Sequence, residues 1–279
     1  MAAGAAAYSV LIPVYKGDLP GPLKFAVESM MKQTIKPDEI VIAVDGPIGS
    51  ELEAVIAEFE RQNGEVFSVY RYDVNEGLGK LLNKTVPLCR NEYIARMDAD
   101  DYSRPERMER QFAVLRECQE IDVVGCNVDE FSGSIDNVIA RVILPETPDE
   151  VYAFAKKRCP IRHPALLFRK SDVLKIGNYN VQDRVQDYDL IVRMLQNGLK
   201  VYNIQQPLVL IRISEDFYRR RGGLRYLKCI YTTKKNFLKS GFMSLGEFIV
   251  SFGGHALVIL MPSWLRGFIY NKFLRKKAA

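Results

Sequence analysis

Long apolar runs are missing from this chain of 279 residues. The most apolar stretch, Phe248–Met261, has 14 residues and includes Gly253, Gly254 and His255. A membrane-crossing helix needs about 20, so no span is expected. Cysteine is sparse: five residues, at 89, 118, 126, 159 and 229. Their spacing suits neither a disulfide framework nor a metal cage, and an odd number of scattered thiols fits a reducing cytosol. The opening MAAGAAA lacks a basic segment and a cleavage signal, and reads as a disordered lead-in, not a signal peptide. Internal repeats are absent, as is low-complexity sequence beyond that Ala-rich start, which excludes a repeat array.

What is present is an ordinary globular composition, 48% hydrophobic and 26% charged. The length suits one large α/β domain with an appendage, or two small domains. Charge is unevenly spread. From Arg212 onward 14 Lys/Arg face 3 Asp/Glu, a surplus of +11; with the whole chain at +5, the first 211 residues carry −6. A basic segment of this kind faces something anionic. A nucleic acid would explain the basic end but not the acidic front, so no nucleic-acid partner is expected.

Short, nearly continuous apolar runs alternate with helical patterns through the front half. Ser9–Val14 reads as a strand buried on both faces, and Ile40–Val44, Val66–Tyr70 and Tyr93–Met97 read as further strands. Between them lie a helix opened by Pro22, an amphipathic helix bearing Leu52, Val55, Ile56 and Phe59, and a helix over Leu78–Val86. Pro105–Glu117 reads as a further helix. This succession predicts a mostly parallel sheet flanked by helices, in which ligands bind beyond the carboxyl ends of the strands. Asp45 and the Asp98–Asp101 cluster stand at such ends. Val123–Cys126, Val138–Leu144, Ala165–Arg169 and Leu208–Ile213 read as later strands, and Asp187–Asn197 as a helix stopped by Gly198.

Asp98 and Asp100, two carboxylates at i and i+2 past a buried strand, can reach one hard cation, which could bridge the phosphates of a nucleotide diphosphate. The plain alternative is an acidic turn before the helix near Pro105. Here the six blocks SVLIPVYK (9–16), AVDGP (43–47), NEGLGKLLN (75–83), ARMDADD (95–101), RHPALLFRK (162–170) and QDYDLIVR (186–193) resemble, in order, the inverting family 2 glycosyltransferases that mostly serve bacterial surface polysaccharides. The resemblance implies a GT-A fold over about residues 8–215, with residues 216–279 as a basic helical extension. It implies a nucleotide-sugar donor, UDP-linked first and GDP- or dTDP-linked otherwise, and Mn²⁺ or Mg²⁺ as cofactor.

Roles follow from the same resemblance. Pro13, Val14 and Tyr15 match the loop that holds the base, and Asp45 the carboxylate on base or ribose. Asn75, Gly77 and Leu78 match a loop under the nucleotide, with Lys80 nearby. Arg96 and Asp98 fall among the donor-binding residues, and Asp98 with Asp100 matches the metal-holding D-x-D. Asp187 matches the catalytic base, His163 borders the reaction centre, and Arg219 and Arg220 lie where relatives close a basic loop over the diphosphate. The family often has Glu-Asp where this chain has Gln186-Asp187. Local alternatives stay open: Asp45 as a turn former, Asp187 as a helix cap, His163 as a packed side chain, and Arg219–Arg221 as a solvated charge run.

Three contrasts sharpen the expectation. A nucleotidyltransferase would carry a Gly-rich basic loop after the first strand, whereas this chain has Pro13-Val14-Tyr15-Lys16-Gly17-Asp18. A relative that has lost catalysis would bind the donor without turnover. No Q-x-x-R-W motif is present, which favours addition of one sugar over polymer synthesis. The basic end, with Trp264, Phe268, Tyr270 and Phe273 among its cations, suits an anionic membrane face, at about 1 kcal/mol per nearby Lys or Arg. A lipid-diphosphate-linked saccharide is then a fitting acceptor, and peripheral attachment to the cytoplasmic face is expected. The competing expectation is a helical subdomain packed on the sheet or forming a dimer.

Overall fold

The computed structural model describes residues 7–182, 184–214, 222–262 and 265. Its centre is β1 (Tyr8–Tyr15), whose alternate side chains point to opposite faces of the sheet. Tyr8, Val10, Ile12 and Val14 enter one core, while Leu11 enters the other. Both faces are covered, which is why the strand reads as one apolar run. β2 (Glu39–Asp45) pairs with β1, β3 (Phe67–Tyr72) with β2, and β4 (Tyr93–Arg96) with the other side of β1, all parallel. Helix α1 (Pro20–Met31), opening at Pro20 and not at Pro22, and α2 (Ser50–Gln62) cover one face with Leu23, Val27, Met30, Leu52, Ile56 and Phe59. On the opposite face lies α3 (Leu78–Thr85), through Leu81 and Leu82.

Past β4 the pairing becomes mixed. β5 (Tyr102–Ser103) precedes α4 (Arg107–Glu117), which begins two residues later than expected. β6 (Val123–Phe131), β7 (Val138–Val142), β8 (Leu167–Arg169) and β9 (Val201–Arg212) follow. The sheet runs β3-β2-β1-β4-β8-β6-β9-β5, with β7 paired to β6. β8 is antiparallel to both β4 and β6, whereas β6 and β9 run parallel. Both of these long strands exceed the expected spans because they hold buried polar residues. Asp129 of β6 is paired with Arg141 at 2.7 Å, and the Gln205-Gln206-Pro207 step of β9 is absorbed by register shifts opposite Asn127.

Buried Arg107 and Gln111 of α4 tie the two halves of the sheet together. The Arg107 guanidinium donates to the carbonyls of Arg96 and Leu166, and the Gln111 amide to those of Val124 and Ala165. Short helices α5 (Pro148–Ala155) and α6 (Lys170–Lys175) precede α7 (Gln186–Gln196). A hairpin of α8 (Leu224–Lys239) and α9 (Leu245–Leu260) follows. Phe237 of α8 enters the same core as α7, with its ring 5.0 Å from that of Tyr188, so the first part of the basic extension packs on the α/β unit. The Ala-rich start, apart from Ala7, lies outside the described residues.

Candidate active site

The carboxyl ends of the parallel strands make the site. Tyr15, Asp45 and Tyr72 lie side by side at the ends of β1, β2 and β3. β4 stops earlier, with Arg96 opposite Leu11. Pro13 therefore falls where β1 has no neighbour on the β4 side, so its missing N–H costs no ladder bond. Pro13 and Val14 are buried, and of this loop's three expected donor contacts only Tyr15 presents an exposed side chain. An open cleft of about 310 Å³ begins beside Asp45, lined by Val44, Gly46, Pro47, Ile48, Glu53, Arg71, Tyr72 and Asp73.

Asp45 does more than shape a turn. Its Oδ1 accepts from the Glu76 amide and its Oδ2 from the Gly77 amide, both at 2.9 Å, while the Asn75 side chain donates to its carbonyl at 3.0 Å. One carboxylate thus clamps the 75–77 loop, and that loop starts α3. Gly46 and Gly77 both have positive φ, and a β-carbon on Gly46 would stand 2.5 Å from the Asn75 nitrogen. Leu78 packs against the core. Lys80 and Lys84 both turn to Glu76, so Lys80 points along its own helix surface and not into the loop's ligand side.

After β4 the chain makes the Asp98–Asp101 turn. Asp101 is buried; its Oδ1 accepts from the Arg212 amide at 2.9 Å, and the Arg212 guanidinium donates to the Asp100 carbonyl at 3.0 Å. The last residue of β9 thereby fixes the turn. Burial, with Asp98 and Asp100 adding, holds the Asp101 carboxyl well above the usual carboxylate range. Asp98 is left partly open, its side chain 36% exposed, and its Oδ1 is ion-paired with Arg96. Arg96, expected among the donor contacts, is fully buried and ion-paired with Asp98.

A buried cluster then connects the turn to α7. Tyr179 is enclosed, its hydroxyl 2.9 Å from His163 Nε2, and it feels the charges of Arg96, Asp187 and Asp98. Burial and then the Arg96 cation hold the His163 imidazole well below its ordinary pKa, so it is neutral. Asp187 stands in the first turn of α7, only partly buried. Burial, with Asp187 adding, keeps the neighbouring Cys159 thiol protonated. Val185, at the cap of α7, has φ 65, a left-handed conformation unusual for a β-branched residue. Gln186 is buried, its Oε1 without a hydrogen-bond partner.

Three residues were absent from the expectations. Asp18 accepts from the Tyr15 amide at 2.8 Å, and burial, with Asp100 and Asp98 adding, pushes its carboxyl up to about 7. Tyr179 and Arg212 are the others. No local pattern marks Tyr179 or Arg212; Asp18 could have been found as an acid just past a buried strand. Arg219 and Arg220 lie outside the described residues.

These carboxylates fit a hard divalent cation. Among the described residues no group of three or more His, Cys, Asp or Glu side chains could hold one alone. A site that borrows phosphate oxygens needs only one or two protein carboxylates. Asp98 and Asp100 meet that need, and their crowding with Asp18 and Asp101 favours added positive charge.

A mostly parallel sheet flanked by helices, with carboxylates past the ends of its parallel strands, is the architecture of the GT-A glycosyltransferases. The chain belongs to glycosyl transferase family 2, whose model matches residues 9–174. It is 32% identical over 272 residues to the Escherichia coli UDP-Gal:alpha-D-GlcNAc-diphosphoundecaprenol beta-1,3-galactosyltransferase, covering 96% of this chain and 97% of that one. It is 31% identical over 268 residues to the amylovoran biosynthesis glycosyltransferase AmsE of Erwinia amylovora, covering 95% and 98%. The fold matches that of Staphylococcus aureus TarS residues 1–349, solved with UDP-GlcNAc, at a TM-score of 0.70 and 14% identity, over 95% of this chain and 75% of that one. A mannosyltransferase from Pyrobaculum calidifontis, solved with GDP-Man and Mn²⁺, gives 0.63 at 11% identity, over 95% and 73%.

Proposed function

We propose that this glycosyltransferase moves one hexose from a UDP-sugar, with inversion, to a lipid-diphosphate-linked saccharide in bacterial polysaccharide synthesis. The observation that supports this reading is the set of acids past the parallel strands: Asp45 clamps the 75–77 loop, Asp98 and Asp100 act on the Asp18 and Asp101 carboxyls, and Asp98 and Asp187 both act on buried Tyr179. The E. coli relative, similar over nearly its whole length, is named for a UDP-sugar donor and a diphosphoundecaprenol-linked acceptor.

Each residue has a place in the displacement. Asp45 and the loop it clamps hold the nucleoside, with Tyr15 against the base. Asp98 and Asp100 hold the diphosphate end of the donor together with Mn²⁺ or Mg²⁺. The bound ion supplies Lewis-acid stabilisation of the departing diphosphate. Asp187 takes the proton of the acceptor hydroxyl as that oxygen bonds to the anomeric carbon. The bond from that carbon to the phosphate oxygen breaks on the opposite face, and UDP leaves. Neutral His163 and Tyr179 form a buried pair that supports the groups between the two ends. The C-terminal region keeps the enzyme at the membrane that holds its acceptor.

A panel of nucleotide-sugars with and without Mn²⁺ tests the reading by thermal shift and by nucleotide release. A ligand at 100 times its dissociation constant stabilises the fold by about 2.7 kcal/mol. The expected result is a metal-dependent shift with a UDP-hexose and slow release of UDP, with the metal dependence lost in Asp100→Ala. Folded protein that responds to no donor overturns it.

A further inference from the structure

Among the described residues, helix α9 leaves half of its surface uncovered. Leu245, Ile249, Val250, Leu257 and Leu260 are between 59% and 77% exposed. At about 100° per residue they fall on one continuous arc, which Gly246, Gly253 and Gly254 complete. No charged or hydrogen-bonding side chain interrupts it. The other face is well occupied: the rings of Phe248 and Phe252 pack on Tyr231, and Ser251 and His255 line up toward Lys234. Exposed apolar side chains scattered singly are ordinary, but a contiguous stripe marks a contact surface.

The charges beside the arc say what it contacts. Arg225, Lys228, Lys235 and Lys239 of α8 are exposed, and α8 contains no acidic residue. Glu247 is the single acid from Phe217 to the end of the sequence, and it is consumed as the cap of α9 and by Lys156 at 3.0 Å. A second copy docked through this arc in a symmetric pair would bring the same cations against one another. An anionic bilayer offers an apolar interior to the arc and countercharge to its rim.

We propose that the uncovered face of α9 is the surface by which this enzyme docks on an anionic lipid bilayer, lying in its interface with the α8 cations over the headgroups. The inference rests on the reading of a membrane-held acceptor for its purpose, but on the exposed arc for its geometry. The hairpin is fixed to the catalytic unit, since Lys234 of α8 donates to the Lys157 carbonyl at 3.0 Å and lies over the ring of Tyr188, beside Asp187. A bilayer bound by α9 therefore holds α7 at a set height.

The test is flotation of the full chain with phosphatidylcholine vesicles, with and without phosphatidylglycerol, beside Val250→Glu and Leu257→Glu. Wild type is expected to float with the anionic vesicles at low salt. Each variant, with an acid inserted in an already exposed arc, is expected to partition about ten-fold less while melting and releasing UDP from its donor as wild type does. Variants that float like wild type overturn the proposal. So does a wild-type dimer in light scattering that either variant splits. Protein that stays in solution yet glycosylates a detergent-solubilised lipid-linked acceptor removes the docking face and keeps the proposed function. Flotation that depends on Val250 and Leu257, in protein inert toward every lipid-linked acceptor, does the reverse.

Discussion

The side chains that would meet the donor and acceptor stand on stiff supports. Asp187 is set by the first turn of α7, so its loss should be felt in the chemistry and not in donor affinity. Asp187→Asn is expected to keep the donor's thermal shift and lower turnover by roughly 10²–10⁴-fold; near-normal turnover in a kinetic assay would remove it from the mechanism. Tyr179 is a positioning residue, because its hydroxyl meets His163 and not the cleft. Tyr179→Phe leaves a buried imidazole nitrogen unpartnered, and urea unfolding should show a loss of about 1–3 kcal/mol. Asp45, Asp98, Asp100 and Asp187 were legible in the sequence because they follow apolar strands or open an amphipathic helix in recognisable blocks. Tyr179 and Arg212 were not, since each acts on residues far away along the chain. Arg96 was expected by its place in the same block, while its side chain is fully buried.

Elements were legible where one period ran unbroken. β1, β2 and β4 are continuous apolar runs and fell within one or two residues of their observed ends. β6 and β9 are about twice their expected length, because Asp129, Asn203 and Gln205 look like loop residues yet find partners inside the sheet. The capping box Thr147–Glu150 that opens α5 was readable and passed unread. Helix α3 is held against the 178–182 loop so closely that a β-carbon on Gly79 would stand 2.6 Å from the Asn180 carbonyl oxygen. Gly79→Ala is therefore expected to cost about 1–3 kcal/mol in a denaturant melt and to weaken donor binding through the Asp45 clamp. The seam between α8, α9 and the rest is sensitive to acid. Burial first, with Lys234 and Arg158 adding, lowers the His255 imidazole to about 4. The unfolded chain takes up that proton below about 6.5, so stability contributed by neutral His255 is complete above 6.5 and is lost as pH falls toward 4. Melting curves across that window should drop in wild type and flatten in His255→Gln.

Along the whole sequence, sign of charge is sorted by position. The first 211 residues carry −6, and the remainder +11. The exposed cations of α8 sit on a hairpin pinned to α5 and α7, while the carboxylates gather at the strand ends. That separation was visible in the bare sequence; the uncovered arc of α9 was not, because an apolar helix reads the same whether or not something packs on it. Vesicle capture should fall steeply between low and physiological salt, which sedimentation at graded ionic strength would measure. A screening length near 8 Å, about that expected in the cell, leaves only the last approach under electrostatic control. The exposed cations of α8 and the carboxylates past the strand ends also give the described part of the molecule an electric dipole. Close to a negatively charged sheet of lipid, such a dipole experiences a torque before any contact forms. The molecule is turned as it arrives, so first collisions are enriched in those that land hairpin-down, and little time is lost to encounters with the wrong side.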